Sequence, residues 1–338
     1  MKVTIKDIAR ECGVSTSAVS LVLNGRDTRI SEETQQKIIG TARKYNYRPN
    51  RLAVSLLKKE TSTFGVIIPD ISNIFFAEFC KGCETAARGN GYTLMIMSSD
   101  EFPPDSMKHI NTFLDSQVDG IIYVAPSNID NRSIHEICSK IAAADIPFVA
   151  VDRALDFPSA KSVLVDNIHG GYIATRHLIK LGHERIGCLT GPLCNKISRD
   201  RLEGYRMALE EHNLPFDRNL VLEGNFSVDS GRQSLPHMQK QRATALFCFN
   251  DMMALGVYRA LQDSGLRFPD EMSLVGYDDI FVTSLLETPL TTVNQPAYEI
   301  GSTSIRILLA LVQGSTDIDS MVFTPVLKIR SSTRPLRH

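Results

Sequence analysis

No stretch of this 338-residue chain approaches the roughly 18–20 consecutive apolar residues that a bilayer-spanning helix needs. The opening segment MKVTIKDIARECG lacks the unbroken apolar block of a secretion signal, because charges interrupt it. Both absences lead to the expectation of a cytoplasmic protein with no membrane partner. Catalytic motifs are equally scarce. There is no G-x-G-x-x-G fingerprint, no Walker loop, no G-x-S-x-G elbow and no paired-His metal motif. An enzyme on a doubly wound fold therefore finds no nucleophile and base here, and neither a cofactor nor a metal is expected. Seven cysteines are scattered along the chain. Cys80 and Cys83 form a C-x-x-C, but no second pair or nearby His completes a zinc site, and reduced, mostly buried thiols are expected. The C-terminal KIRSSTRPLRH has no leucine heptads, so no tetramerising coiled coil is expected.

What is present points to a modular chain. The length suggests two or three domains, and 43% hydrophobic with 22% charged residues is ordinary for a globular protein. The net charge of -1 hides an asymmetry: residues 1–60 carry 12 Lys+Arg against 6 Asp+Glu, and the remainder 25 against 32. A small basic module on an acidic body suggests a polyanionic partner at the N-terminal end.

Residues 1–47 read as three short helices. Ile5, Ile8, Ala9 and Cys12 recur at i, i+3, i+4, i+7, one helical face, and Thr4 with Asp7 suggests a capping box. Gly13 supplies a tight turn. Ser15 suits the cap of a second helix with Val19, Val22 and Leu23 inward, ended by Asn24-Gly25. The third starts at Ser31 and is expected to bury Ile38, Ala42 and Tyr45. Pro49 breaks the chain. A short helical segment follows, with Ala53, Leu56 and Leu57. From Phe64, continuous apolar runs (FGVIIPD, YTLMIM, VDGIIYVAP, IPFVAVD, RIGCLTG, ALFCFND, SLVGYDD) alternate with helical stretches, the pattern of parallel sheets covered on both faces. Seven runs fit two sheets better than one. The last segments, LTTVNQP and VFTPVLKIR, are expected to complete strands in both lobes.

The expected fold is thus an all-α helix-turn-helix head on an α/β two-lobe core of two parallel, doubly wound sheets. The head spans 1–48, a short helical segment and linker 49–60, and the core 61–338. Lobe 1 takes 61–163 and 293–322; lobe 2 takes 164–292 and 323–338.

Two helices joined at Gly13 have helix-turn-helix shape, with the second placed for the major groove. Its outward residues are Thr16, Ser17, Ser20, Leu21 and Asn24. Hydroxyls and an amide bond base edges or phosphates, and Leu21 suits a thymine methyl. In the core, Asp70, Asp152, Asn250, Asp251, Asp278 and Asp279 follow predicted strands, where open α/β sheets bind ligands. Their carboxylates and amides suit ring hydroxyls. Phe75, Phe76 and Phe226 suit the apolar faces of a small ring, and Arg201 offers a fork of donors. Phe75 or Phe76 also reads as core. Asp279 and Asn167 read as turn or cap residues, and His177 and His183 as structural.

The segments VTIKDIARECGVSTSAVSLVLNG, ISEETQQKI, KYNYRPN and RLAVSLL resemble the LacI/GalR family of bacterial transcription regulators. The likeness continues through FGVIIPDISNIFFAE, VDNIHGGYIATRHLIKLGHERIG, FNDMMALG, SLVGYDD and LTTVNQP, covering essentially the whole chain. It implies operator reading by Thr16, Ser17 and Leu21, and DNA-backbone contact by Ser20 and Asn24. Thr4, Ser15, Asn50 and Ala53 join the expected DNA-binding set. It also implies a hinge helix at 50–58 whose Leu56 wedges into the central minor groove. Position 21 is often Arg or His in the family. Leu21 cannot make a bidentate bond to guanine, which leaves the operator sequence open.

The same resemblance assigns effector binding to Phe75, Phe76, Asp152, Arg201, Phe226, Asn250, Asp278 and Gln295, to which the strand-end argument adds Asp70. The Phe pair after SNI is like that of ribose-type binders and favours a sugar over a purine. A twofold homodimer is implied by a pseudo-palindromic operator. An isolated helix of about ten residues is marginal in water, so the hinge is expected to form when two copies pair on DNA. Ligand closure of the lobes then biases operator affinity. A catabolite-type regulator answering to a phosphorylated carrier protein is the alternative within the family. A free solute-binding protein fits poorly, given the DNA-binding head.

Overall fold

The computed structural model describes residues 3–23, 29–47, 60–153, 155, 157, 160–266 and 268–336. Asn24 and the expected hinge helix, with Asn50, Ala53 and Leu56, lie outside them. The chain divides into two units, 1–61 and 62–338.

The described residues of the first unit form α1 (Ile5–Cys12), α2 (Thr16–Leu23) and α3 (Glu32–Lys44). The Thr4 amide and hydroxyl both donate to the Asp7 carboxylate, at 3.0 and 2.7 Å. These bonds hold Asp7 below its usual carboxylate pKa. Gly13 adopts φ +74°, a left-handed conformation that glycine enters without a Cβ clash. Ile8, Ala9, Cys12, Val19, Val22 and Ile38 form one buried cluster. Tyr45, expected inside, is 39% exposed. It is the C-cap beyond the last turn of α3, and Tyr47 packs against the cluster instead.

The second unit holds two six-stranded sheets. The first contains β1 (Thr63–Ile68), β2 (Thr93–Ser98), β3 (Gly120–Tyr123), β4 (Phe148–Val151), β5 (Lys161–Val165) and β11 (Met321–Phe323). Their order is β11-β5-β4-β3-β1-β2, all parallel. Helices α4 (Ile74–Gly89), α5 (Pro103–Asp115), α6 (Asn131–Ala143) and α11 (Ala297–Val312) belong with this sheet. The second contains β6 (Ile186–Thr190), β7 (Val221–Glu223), β8 (Ala245–Cys248), β9 (Ser273–Asp278), β10 (Thr291–Asn294) and β12 (Val326–Lys328). Their order is β12-β10-β9-β8-β6-β7, with only β12 antiparallel. It carries α7 (Asn167–Lys180), α8 (Lys196–Glu211), α9 (Val228–Lys240) and α10 (Asp251–Asp263).

The crossings differ slightly from expectation. β5 runs to Val165 within the first sheet, and β11 pairs through Phe323 with Val165. β10 pairs with β9 as far as Asn294 in the second sheet. Strand pairing across distant sequence sets these limits, and apolar run length does not record it. Reduced thiols are also what is seen. All seven cysteines are free, and only Cys80 and Cys194 are not buried. Among the described residues, no helix is long and apolar enough to cross a membrane, and no cluster of His, Cys, Asp and Glu could hold a metal ion.

Helices α7 and α8 lie backbone to backbone. A Cβ added to Gly171 would sit 2.1 Å from the Arg201 carbonyl oxygen, and one on Gly204 would sit 2.0 Å from that of Ile168. Both obstacles are main chain and cannot rotate away. Gly204→Ala is therefore expected to separate the helices and destabilise the fold by about 1–3 kcal/mol. Denaturant unfolding checks this, and an unchanged midpoint would show that the helices are free to part.

Candidate functional site

On the first unit, Thr16, Ser17 and Leu21 are exposed along α2, while Val19 and Val22 are buried on its other side. Ser20 is half-buried. Thr4 and Ser15 are exposed, and both hydroxyls serve helix starts: Thr4 on Asp7, and Ser15 accepting from the Ala18 amide at 3.1 Å.

The second unit contains a cleft enclosing about 400 Å³, part of it open to solvent. It is lined by Phe75, Phe76, Asp152, Arg201, Phe226, Asn250, Asp278 and Gln295, together with Asn73, Glu101, Arg153 and Ile197. Most lie at, or just beyond, the carboxyl end of a strand, while Phe75, Phe76, Ile197 and Arg201 come from the helices that follow β1 and β6. Both sheets have the 2-1-3-4-5 order of doubly wound folds, whose ligands bind at that edge.

Arg201 is the buried centre of the site, 3% exposed. Its guanidinium stacks 3.6 Å from the Tyr277 ring centroid. Its Nε donates to Asn167 Oδ1 at 2.8 Å, and Nη1 donates to the Phe249 carbonyl. Tyr277 donates to the same Asn167 oxygen at 3.2 Å. Asn167 is thus a positioning residue for Arg201; Asp166, one residue earlier, is the cap of α7. Asn250 caps α10 through the Met253 amide at 2.9 Å and donates to the Phe226 carbonyl at 2.9 Å. Gln295 donates to Asp278 Oδ1 at 2.7 Å, and its own Oε1 has no partner in the described structure. Phe75 and Phe76 meet edge to face at 5.2 Å and belong both to the first lobe's core and to the cleft wall. Phe226 fits because position 191 is glycine: a Cβ there would lie 2.0 Å from its ring.

Burial raises the Asp278 carboxyl against the opposing pull of Arg201, and raises Asp152 against Arg153 and Arg201. Burial and the Asp278 charge push Asp251 well up. The backbone is strained at the same places. Asp152, Phe226, Asp278 and Asp279 all have positive φ, from +60° to +117°, and non-glycine residues held there cluster at functional sites.

The other strand-end residues have different duties. Asp70 does not line the cleft; its carboxylate takes the Ser72 amide and hydroxyl at 2.7 and 2.9 Å, closing the turn before α4. Asp251 is fully buried and accepts from Thr292 at 2.7 Å and from the Ile280 amide at 3.0 Å. Asp279, rather than simply capping a turn, pairs with Arg330 at 2.5 Å and accepts from Asn294 at 3.0 Å. His183 joins Thr244, Ser273 and the Arg334 carbonyl at 3.0 Å each, and His177 reaches Thr333 at 2.9 Å. Both histidines knit the C-terminal segment to the second sheet.

Four lining residues lie outside the expected set, and each carries a signal in the sequence. Glu101 follows β2, and Arg153 adjoins Asp152. Asn73 caps α4 before the Phe pair. Ile197 shares a face of α8 with Arg201 at i, i+4.

A family model for the periplasmic binding proteins and sugar binding domain of the LacI family matches residues 61–330, and one for bacterial regulatory proteins of the lacI family matches residues 4–50. The chain belongs to the LacI family. It is 35% identical to the HTH-type transcriptional repressor PurR of Vibrio atlanticus (strain LGP32), over 98% of this chain and 99% of that protein. The structure of the Lac repressor dimer bound to operator and the anti-inducer ONPF matches with a TM-score of 0.86 at 29% identity, covering 99% and 100% of the two chains. A LacI family regulator from Enterococcus faecium with bound ribose matches with a TM-score of 0.74 at 30% identity, over 81% and 100%. This LacI-family chain is accordingly a DNA-binding transcription regulator under ligand control, and not an enzyme.

The raised Asp278 carboxyl has a consequence for stability. A folded pKa above the unfolded value means that ionisation opposes folding. The cost is absent below 3.8 and grows as pH rises towards about 7. Asp278→Asn is expected to raise the melting temperature of the ligand-free protein at pH 7.5, with the gain vanishing near pH 4. Equal melting temperatures at pH 7.5 would place Asp278 in a better-solvated setting.

Proposed function

We propose that this regulator is a homodimeric repressor whose effector is a sugar of about monosaccharide size, held in the cleft of the second unit. The observation that carries the reading is the composition of that cleft. Acceptors from Asp152 and Asp278, donors from Arg201 and Asn250, and the two-way amide of Gln295 surround a space walled by Phe75, Phe76 and Phe226. A sugar presents this combination: hydroxyls at its rim that both donate and accept, and apolar C–H faces that suit aromatic rings. The ribose held by the Enterococcus faecium relative supports the same ligand class.

The proposed DNA contacts are Thr4, Ser15, Thr16, Ser17, Ser20 and Leu21 on the head, with Asn24, Asn50, Ala53 and Leu56. The proposed effector contacts are Phe75, Phe76, Asp152, Arg201, Phe226, Asn250, Asp278 and Gln295. Asp70, engaged in its turn, drops out of that set.

A thermal-shift panel of pentoses and hexoses, followed by operator titration with any sugar that raises the melting temperature, tests the ligand class. Failure of every sugar, with a nucleobase stabilising the protein instead, would overturn it. Arg201→Ala is expected to weaken effector binding by at least about tenfold, since charge-assisted hydrogen bonds are lost, while operator binding in the absence of effector persists. A normal effector response would remove Arg201 from the site. Deleting residues 1–59 is expected to abolish operator binding and to leave a folded, ligand-binding dimer; undiminished operator affinity would refute the division of labour.

A further inference from the structure

A second, larger space of about 970 Å³, part of it open to solvent, adjoins the effector cleft, and Arg153 lines both. The two faces of α8 divide between them. Ile197 and Arg201 face the cleft, whereas Asn195, Lys196 and Arg199 face the second cavity, opposite Ser127 and His135. No Asp or Glu is among the described residues lining it. Several acids stand beside this wall without lining it: Asp130, next to two lining residues, accepts from the Ser133 amide at 2.7 Å, and three others pair with its cations. Asp200 pairs with Lys196 at 2.5 Å, and Glu101 lies 3.6 Å from Arg153 and accepts from the Ser127 amide. Asp152 lies 3.9 Å from Arg153. Among the described residues, Arg199 has carbonyl partners alone, Leu193 at 3.0 Å and Cys194 at 2.6 Å, and no ion pair.

Two further facts bear on what this wall would hold. Asn195, 4% exposed, caps α8 by accepting from the Ile197 amide at 3.0 Å, yet its Nδ2 donor has no partner in the described structure. The Arg153 side chain is 10% exposed, and its Nε and Nη1 likewise have no hydrogen-bond acceptor. Buried donors are normally satisfied, and unsatisfied ones call for an explanation. The N-terminus of the 16-residue α8 adds its own partial positive charge. Cations, unmatched donors and a helix start thus converge on one space beside the cleft.

We propose that this cavity is an anion subsite and that the effector is a sugar bearing a phosphate or carboxylate, its ring in the cleft and its anionic group against Arg153, Asn195, Lys196 and Arg199. The inference rests on the sugar reading of the cleft and narrows it to charged sugars. Because Arg153 serves both spaces, ring and anionic group are recognised together.

Calorimetric titration of the full-length protein at fixed ionic strength tests the subsite with ribose, ribose 5-phosphate, glucose, glucose 6-phosphate, glucuronate and inorganic phosphate. At least one charged sugar is expected to bind about tenfold or more tighter than its neutral parent, the gain from one or two charge-assisted hydrogen bonds. Lys196→Gln and Arg199→Gln are each expected to lower that ratio, with thermal melting confirming that both variants fold. A phosphate-over-carboxylate preference identifies a phosphosugar, and the reverse a sugar acid. Neutral sugars binding as well as charged ones, with inorganic phosphate silent, would overturn the subsite and leave the sugar reading standing. Inorganic phosphate binding that is weakened by both substitutions, with every sugar silent, would keep the anion site and overturn the sugar reading. Phosphate binding that neither substitution weakens would overturn the subsite.

Discussion

The guanidinium of Arg201 is the charge on which the cleft depends. Asp152 and Asp278 lie at strand ends where burial opposes their ionisation; Arg153 opposes that effect most at Asp152, and Arg201 is the cation that opposes it at both. A buried cation is itself costly unless its donors are met. Here the Tyr277 ring, the Asn167 amide oxygen and the Phe249 carbonyl meet it from separate elements. Its height above the sheet is set by the contact between α7 and α8, which glycines at 171 and 204 permit. Core packing and site electrostatics are therefore one constraint. A methyl group between two helices is expected to alter where a charge sits in the cleft.

The two lobes reach the cleft by the same route. Each has its first strand flanked by its second and third, and each turns from that first strand into a helix capped by asparagine: Asn73 before α4 and Asn195 before α8, both accepting from the amide two residues on. The repeated order places equivalent strand ends face to face. It also explains why no contiguous catalytic-type motif marks the site, since its residues come from nearly every strand-to-helix junction in turn.

That arrangement decides what could be read in the chain. Continuous apolar runs announce parallel strands, and the polar residue after each run is placed at the ligand edge, so Asp152, Asn250 and Asp278 were legible. Arg201 and Phe226 are candidates by residue type alone, whereas Gln295 needs the family resemblance; nothing local distinguishes a buried arginine in mid-helix from a solvated one. Asp70 satisfies the strand-end rule, yet its own Ser72 captures the carboxylate. That competition between side chain and backbone is local but not unique to any pattern. Asn167 reads as a cap by position, and only its distant partners Arg201 and Tyr277 reveal its task. Tyr45 fits the helical period but falls one residue past the last turn. Lobe limits blur by two or three residues because they depend on which strand pairs with which.

Switching requires that a ligand distinguish two states, since equal affinity for both shifts nothing. The groups lining the cleft can supply that distinction, because they are costly to bury unmatched. Three of its lining residues, Asp152, Phe226 and Asp278, have positive φ, each costing about 1–3 kcal/mol, and its carboxylates are held where ionisation is unfavourable. Lobes closed on an empty cleft would strip water from these groups and return nothing. The proposed sugar would replace that water and meet the Gln295 oxygen, which has no partner among the described residues. Closure would then be favourable only when the site is filled. The polar groups that make the site poor at stabilising the fold are the same groups that make its closure depend on ligand, and a cleft rebuilt with apolar residues would gain stability and lose the switch.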